Sequence, residues 1–420
     1  MKVQKTIPPA AAPLSFSDLW FGLTGFILRE RSIKRFEKEI KEYFGVKYAF
    51  PVSSGKAALL LILQGLKSLS SRREVIIPAY TCFSVPSAVA KAGLKVSLSD
   101  IDRRTFDFDL QLLEKTITEK TLCVIPSHLF GIPSAMDEIT RLAKSKGAYV
   151  VEDAAQAMGG SDRGRKLGTI GDVGFYSFGR GKNITCGSGG VIVTNSKPIA
   201  DAIVGYAADL VTPGIIGVWK EFLEVALMTI FIHPMAYWFP AGLPFLKLGQ
   251  TIYHEDFAVR KLSGVEAGLL RRWKVRLDQS NHKRSAAGAD FQERLNPPRT
   301  QKSSVPYLRF PLLVESLETR DRIYALSQER GLGVSVMYPA PIHEVHEIRA
   351  AFRDQSFPGA TEVARRLLTL PTHPLVSERD KEAIIALFGE MVHPEVDRSS
   401  ATDGKVTSLN PVPEVSSSPK

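Results

Sequence analysis

One aspartate and one lysine carry the strongest chemical signal in this sequence. Asp153 ends the run Val150-Val151-Glu152-Asp153, and Lys182 follows 29 residues later. A lysine amine condenses with an aldehyde, and a carboxylate against a pyridine nitrogen keeps that ring protonated and electron-accepting. The pair is what pyridoxal 5'-phosphate (PLP) requires. Spacing alone fits equally well an aspartate that caps a helix and a lysine on a surface loop.

A third feature is a candidate phosphate site. Ser53-Ser54-Gly55-Lys56 separates a short strand from a helix, and the N–H groups at a helix N-terminus attract an anion. Ser177 supplies a further hydroxyl. Taken alone, the serine pair is more often an ordinary helix cap. Together with Asp153 and Lys182, it completes a set of contacts for the phosphate, pyridine and aldehyde of one cofactor.

An α/β sheet is needed to position these residues. Short apolar strands alternate with helices over residues 48–151, and two more strands are predicted at Val173–Ser177 and Gly190–Thr194. This alternation predicts a mostly parallel sheet with helices on both faces. Such sheets bind ligands at the carboxyl ends of their strands, which is where Asp153 and Ser177 fall.

Composition shifts divide the chain into four predicted parts. Proline and alanine dominate the start, prolines 297 and 298 mark a boundary, and serine, proline and valine dominate the end. The second unit is expected to hold strands near 307–313 and 334–337 and helices near 318–331 and 360–368. The predicted parts are a loose N-terminus (1–15), a large PLP-binding domain (16–295), a small C-terminal α/β domain (296–392) and a disordered tail (393–420).

The overall composition narrows the function classes. Of 420 residues, 44% are hydrophobic and 23% charged, which is typical of a globular protein. The net charge of +10 favours anionic partners, but no basic block interleaved with aromatics is present, so nucleic acid is not expected. Three widely spaced cysteines predict neither a disulfide framework nor a metal site and fit the cytoplasm. The N-terminus lacks the pattern of a signal peptide.

Further segments stand in a recurring order along the chain. They include Ile77-Pro78-Ala79-Tyr80-Thr81, Ser127-His128-Leu129-Phe130-Gly131, Glu152-Asp153-Ala154-Ala155-Gln156, Tyr338-Pro339-Ala340-Pro341-Ile342-His343 and Leu370-Pro371-Thr372-His373-Pro374. In this order they resemble the sugar aminotransferases of the DegT/DnrJ/EryC1/StrS group. The resemblance covers about residues 30–210 and, less closely, about residues 255–390.

This resemblance implies a fold-type I PLP-dependent transferase with a mostly parallel seven-stranded sheet. It implies Lys182 as the Schiff-base lysine and proton shuttle, Asp153 at the pyridine nitrogen and Gln156 at the ring 3-hydroxyl. The implied phosphate contacts are Ser177, Ser54, Gly55 and Lys56. Similar enzymes usually pass nitrogen from glutamate to a nucleotide- or lipid-linked keto sugar in cell-surface polysaccharide or glycan biosynthesis. They act as homodimers that share residues between sites.

Some positions depart from the family pattern. The aromatic residue that usually stacks on the ring is Cys82 here, and Phe83 is predicted to replace it, with Tyr80 as the alternative. The other departures are Lys56 for threonine, Gly179 for histidine, Ser188 for glutamate and an altered partner-subunit segment at 259–261. They leave the cofactor contacts in place and affect substrate recognition.

An apolar insert over residues 211–250 has little counterpart in the family. No charged residue lies between Glu224 and Lys247, a length close to that needed to cross a bilayer. Three prolines interrupt it. The favoured interpretation is an interfacial or re-entrant segment that gives peripheral contact with the cytoplasmic membrane face. A helical excursion packed on the dimer is the alternative, and a full span is least favoured.

Three functions stay open at this point. An aminotransferase is favoured because a related dehydratase has histidine where this chain has Lys182. Another PLP-dependent reaction on a sugar, such as dehydration or epimerisation, is the second. A non-catalytic membrane-associated relative is the third, and the altered stacking and glycine positions are its support.

Overall fold

A seven-stranded sheet forms the centre of the fold. The computed structural model describes residues 4–246, 248, 252–295 and 305–392. The strands are β1 (Tyr48–Val52), β2 (Glu74–Pro78), β3 (Lys95–Ser99), β4 (Thr121–Val124), β5 (Tyr149–Asp153), β6 (Val173–Ser177) and β7 (Gly190–Thr194).

The strand order is β3-β2-β4-β5-β6-β7-β1. Strand β7 runs antiparallel to both of its neighbours, whereas the other neighbouring pairs are parallel. The mostly parallel, seven-stranded sheet predicted from the sequence is thereby confirmed. Val52 and Ser177 both pair with Gly190. This register brings the loop after β1 and the end of β6 to the same edge of the sheet.

Helices cover both faces of the sheet. Helix α3 shows why they form: from Gly55 to Leu66 it is apolar almost all round, and it is buried nearly throughout. The other helices packed around the sheet and its flanks are α1 (Phe16–Ile27), α2 (Arg29–Phe44), α3 (Gly55–Leu69), α4 (Ser84–Lys91), α5 (Leu110–Thr116), α6 (Met136–Ser145), α7 (Lys197–Ala208), α10 (Gly264–Leu269) and α11 (Trp273–Leu295).

Two helices precede the sheet. Helix α1 ends at Ile27, and α2 ends at Phe44 with Gly45 as its cap, whose φ of 67° suits glycine. Ile27 is 86% exposed. Helix α1 crosses α10 so closely that a Cβ on Gly25 would lie 2.1 Å from the Gly264 carbonyl oxygen. Glycine spacing therefore sets this contact more than apolar periodicity does.

The C-terminal residues build a two-stranded antiparallel sheet from β8 (Arg309–Leu313) and β9 (Leu367–Pro371). Helices α12 (Leu317–Arg330), α13 (Pro358–Arg366) and α14 (Glu378–Val392) accompany it. The strand predicted at 334–337 forms only one bridge, between Ser335 and Thr369. The helix predicted to residue 368 ends at Arg366, because the fully buried run of β9 begins there. An apolar run of this length fits a buried helix or a strand equally well.

The apolar insert folds into helix α8 (Ile215–Phe231), the short helix α9 (Trp238–Ala241) and a 3-10 turn at Pro244–Leu246. Helix α8 buries Val218 and Val225, and Trp219 stacks on Phe26 of α1 with ring centroids 4.4 Å apart. In the part of the chain that the structure describes, no helix combines the length and the apolar character needed to cross a membrane.

Residues 4–15 pack against distant parts of the chain, which corrects the prediction of a loose N-terminus over residues 1–15. Over residues 4–15, Ile7 and Ala11 are buried, and the Ile7 N–H donates to the Gly331 carbonyl at 2.8 Å. Arg284 donates to the Ala11 carbonyl at 2.8 Å, and His373 Nε2 donates to the Pro8 carbonyl at 2.7 Å. The partners are hundreds of residues away, so local composition carried no sign of them. The tail predicted over 393–420 and the boundary at 297–298 lie outside the described residues.

We expect His373 to make the protein acid-sensitive. Burial, reinforced by the charge of Arg284, lowers the pKa of His373 from 6.5 to about 3. The unfolded chain takes up a proton below its ordinary pKa while the folded protein does not, so stability falls as pH drops through that window. Between about pH 7.5 and about pH 5 the loss is about 2 kcal/mol. Denaturant unfolding of His373→Gln should show a correspondingly smaller loss; an unchanged pH dependence would contradict this account.

Candidate active site

Asp153 lies at the carboxyl end of β5, almost out of contact with solvent. Its Oδ1 accepts the Ala155 N–H at 3.0 Å, and its Oδ2 accepts the Ser127 hydroxyl at 3.3 Å. Burial raises the pKa of this carboxyl, and the Ala155 N–H and the nearby Lys182 charge oppose that rise. A cationic group bound against the carboxylate would stabilise its charged form.

Lys182 stands in the loop between β6 and β7, where its N–H donates to the Gly179 carbonyl at 3.2 Å. Arg284 donates to the Lys182 carbonyl at 3.4 Å. Burial lowers the pKa of the Lys182 amine; Cys82 and Asp153 oppose the shift, and Arg309 adds to it. The lowered pKa enlarges the unprotonated fraction, which is the form that attacks an aldehyde. The charges of Lys182 and Asp153 interact, which fits two groups at the same end of the sheet.

Gln156 is held on both sides of its amide. Its Oε1 accepts the Phe130 N–H at 3.0 Å, and its Nε2 donates to the Tyr338 hydroxyl at 3.0 Å. The second Nε2 hydrogen is left for another acceptor. The side chain is buried. Its fixed amide suits a contact with a ring hydroxyl.

The loop between β1 and α3 has the form expected of an anion site. Ser54 Oγ accepts the Ala57 N–H at 3.0 Å, while the N–H groups of Gly55 and Lys56 have no acceptor within the helix. Gly55 lies against Ser177: a Cβ at position 55 would stand 2.9 Å from that of the serine. The Lys56 amine lies 3.0 Å from His254 Nε2. The backbone and Ser177 thus build the cradle.

The turn after β2 brings the Cys82 thiol within electrostatic reach of Lys182. Phe83 was predicted to stack on the ring, but it is buried and packs on Tyr338, with centroids 6.3 Å apart and planes at 29°. Tyr80 is also buried, and its hydroxyl donates to the Met337 carbonyl. The Cys82 thiol interacts with Lys182, Lys56 and Tyr338. A sulfur with polarisable electrons therefore occupies the position where the family pattern has an aromatic ring.

Behind Asp153 lies a buried hydrogen-bonded pair, His128 and Glu152, to which the sequence prediction assigned no role. His128 Nδ1 accepts the Ser134 N–H at 3.0 Å, so Nε2 carries the proton that meets Glu152 at 2.7 Å. Glu152 also accepts the N–H groups of Ile170 and Gly171 at 2.7 and 2.9 Å. Burial by itself would raise the pKa of Glu152, but these partners lower it overall. The only signal was the segment Ser127–Gly131, quoted for the resemblance without a role.

These contacts fit the cofactor that the sequence predicted. The free amine, the buried carboxylate, the fixed amide and the N–H cradle match an aldehyde, a pyridine nitrogen, a ring hydroxyl and a phosphate. On a sheet of this order they define a PLP-dependent enzyme of fold-type I. The match of the DegT/DnrJ/EryC1/StrS aminotransferase family model over residues 23–215 and 249–388 makes the assignment narrower: the chain belongs to that family.

Relatives of known name agree with this membership. The spore coat polysaccharide biosynthesis protein SpsC of Bacillus subtilis is 26% identical over 88% of this chain and 92% of its own length. The dTDP-3-amino-3,4,6-trideoxy-alpha-D-glucose transaminase of Streptomyces venezuelae is 29% identical over 84% of each chain. A crystal structure of S. venezuelae DesV has a TM-score of 0.69 and 27% identity, covering 87% of this chain and 90% of that one.

The family match also isolates the insert. The two matched ranges leave out residues 216–248, which hold nearly all of α8 and the turns after it. The insert predicted over 211–250 therefore has no counterpart in the family model over most of its length. It is an addition to an otherwise ordinary aminotransferase framework.

We expect Glu152→Ala to be strongly destabilising. It would leave the His128 proton and the N–H groups of Ile170 and Gly171 without their acceptor, at a cost of roughly 1–3 kcal/mol for each donor that stays buried. Chemical denaturation of the purified variant measures this loss. Glu119→Ala is the matched control, because Glu119 is 72% exposed and its pairs with Lys146 and Arg72 span 3.3 and 3.8 Å. The control should lose less than about 1 kcal/mol; equal losses would show that the buried pair has no special role.

Proposed function

We propose that this protein transfers an amino group, with glutamate as donor, to a keto sugar carried on a nucleotide or a lipid. The observation that carries the proposal is the free Lys182 amine in electrostatic contact with the buried Asp153 carboxylate. Relatives named as a spore coat polysaccharide biosynthesis protein and as an amino-sugar transaminase support a sugar acceptor. The PLP-dependent aminotransferase class follows from the family, whereas the donor and the sugar are proposals.

The bound cofactor supplies an aldehyde and a ring that accepts electrons. The chain's own residues determine what happens around it. Lys182 Nζ, with its lowered pKa, accepts a proton from the substrate carbon and returns it. Asp153 holds a positive charge at the pyridine nitrogen, and the fixed amide of Gln156 orients the ring. The N–H groups of Gly55 and Lys56, with Ser177, bind the phosphate.

The alternative functions have less support. A dehydratase of this family is expected to have histidine in place of Lys182, and this chain keeps the lysine. A non-catalytic relative would have no reason to keep the amine unpaired: among the described residues, Nζ of Lys182 has no hydrogen-bond acceptor within reach.

Replacing the lysine tests the assignment. We expect Lys182→Ala to abolish turnover and to lose the visible absorbance of the Schiff base that glutamate shifts in the native enzyme, because no other amine is placed to form it. Lys197→Ala is the control, since its amine pairs with Asp201 on an exposed helix surface. Full turnover in Lys182→Ala would overturn the site. Native colour that no amino donor alters would favour dehydration or epimerisation.

We further propose that the protein is a cytoplasmic homodimer whose insert contacts the membrane surface. Helix α8 and its neighbours expose an apolar face, and the net charge of +10 favours anionic headgroups. The exposed side chains on this face include Phe16, Trp20, Ile215, Ile216, Leu223, Leu227, Ile230 and Phe245. Exposed apolar patches of this kind mark interaction sites. A second copy of the chain is the competing occupant.

Two substitutions to serine on this face test whether it binds a membrane or a second copy of the chain. Ile216→Ser with Leu223→Ser should reduce cosedimentation with vesicles that contain anionic phospholipid by at least about tenfold, because two large apolar side chains lose their burial. The same change at Leu317, an exposed residue of α12, is the control. Light scattering reports the oligomeric state in parallel. Unchanged vesicle binding with loss of the dimer would assign the face to a second copy and end the membrane proposal.

A further inference from the structure

Arg309, the first residue of β8, is a charged residue beside the site that the sequence did not single out. Its Nη1 donates to Ser335 Oγ at 3.1 Å. Over the described residues, the side chain makes no ion pair with a carboxylate. A partly buried guanidinium without a counterion is costly unless something else compensates its charge. The missing counterion of Arg309 therefore points to a ligand that carries a negative charge.

The surroundings of Arg309 place it at the reaction centre. The N–H of Leu308, the residue before it, donates to the Phe130 carbonyl at 2.8 Å, and Arg284 donates to the carbonyls of both Leu308 and Lys182, at 2.7 and 3.4 Å. In agreement with this position, the charge of Arg309 lowers the pKa of Lys182, and the Tyr338 and Tyr237 hydroxyls act on the pKa of Arg309. Tyr338 in turn contacts the Gln156 amide at 3.0 Å. Arg309 thus faces the space that Lys182 and Gln156 share, whereas the phosphate cradle stands on β1, α3 and β6.

Tyr237 connects the apolar insert to this space. It lies between α8 and α9, and that turn is fixed by the Thr6 N–H, which donates to the Pro234 carbonyl at 2.9 Å. Helix α8 is tied to the loop of Lys182 by the pair of Arg180 and Glu224 at 3.0 Å. The insert therefore reaches the active site of its own chain, in addition to presenting an apolar face to the outside.

A neighbouring arginine shows what a purely structural role looks like. Arg284 also has no carboxylate partner, but it is fully buried and donates to the carbonyls of Leu308, Ala11 and Lys182 and to two hydroxyls. Arg309 has a single such partner, and none of its nitrogens is buried without one. Its remaining donors are therefore not sealed in the protein interior and can be reached by a ligand.

We propose that Arg309, assisted by the hydroxyl of Tyr237, forms a subsite for a substrate carboxylate. The planar fork of a guanidinium matches the two oxygens of a carboxylate. The inference rests on the proposed aminotransferase function and adds to it the recognition of one substrate group. The carboxylate belongs either to the amino donor, beside the carbon that loses its nitrogen, or to an acidic sugar. Both sources use the same chemistry.

Equilibrium binding separates this role from a general loss of activity. The probes are glutarate, which carries carboxylates but no amine, and UDP-glucuronate compared with UDP-glucose. Binding to the PLP form is followed by its visible absorbance. Arg309→Gln should weaken a carboxylate probe by about 10- to 100-fold, the usual effect of losing a charged hydrogen bond. Arg309→Lys should recover part of the loss, and Tyr237→Phe should cost about 2- to 10-fold. The exposed Arg353→Gln is the control.

Each outcome gives a decision. Weaker glutarate binding with a higher KM for glutamate supports the subsite and assigns it to the donor. Loss of the preference for UDP-glucuronate supports it and assigns it to the sugar. Unchanged binding of both probes in Arg309→Gln, with cofactor colour retained, overturns the subsite while leaving the aminotransferase intact. If Arg309→Gln does not fold, Arg309→Lys and Tyr237→Phe decide in the same way. A native enzyme without colour or transamination would instead refute the proposed function.

Discussion

The Asp153 carboxylate is buried, so water does little to stabilise its charge. The surrounding structure has to stabilise that charge instead. An ionised carboxylate in such a position is stable only with hydrogen bonds and a positive neighbour. Ser127 and the Ala155 N–H provide the hydrogen bonds, and the Lys182 amine provides the charge. Burial pushes the two pKa values in opposite directions, up for the acid and down for the amine. The lowered pKa of the amine enlarges the fraction that can attack an aldehyde, whereas the raised pKa of the acid means that a cationic ring is needed to hold it ionised.

The buried Glu152–His128 pair supports this arrangement from below. Glu152 ties the loop at 168–171 to β5, and His128 ties the loop after β4 to the same strand. The loop after β4, which carries Ser127 and the Phe130 N–H that binds Gln156, is thereby joined to the strand that carries Asp153. Because interior pairs are costly to break, such a pair gives the site rigidity more than net stability. The sheet thereby fixes the positions of the reacting groups.

Local patterns predicted the parts of the fold that local forces decide. The sheet, its strands and the helix at Gly55–Leu69 follow from apolar runs, alternation and turn residues, and those predictions are confirmed. The errors lie where distant partners decide. Residues 4–15 are fixed by Arg284, His373 and Gly331, and β9 is a strand because it pairs with β8. Within the site, motifs singled out Lys182, Asp153 and Gln156, whose roles stay predictions. The surroundings of Cys82, Arg309 and Tyr237 depend on how three separate segments meet, which no local motif encodes.

The electrostatic balance of the site explains why it needs anionic ligands. Lys182, Arg309 and Arg284 converge on one region, and Lys56 lies near the cradle, while Asp153 is the carboxylate that acts on Lys182. Burial lowers the pKa of each of these cations, which means that the folded protein holds them in a less favourable environment than water. A phosphate in the cradle and a carboxylate at Arg309 would each relieve part of that cost, and the relief contributes to binding affinity. The excess of positive charge in the site therefore favours the binding of anionic ligands.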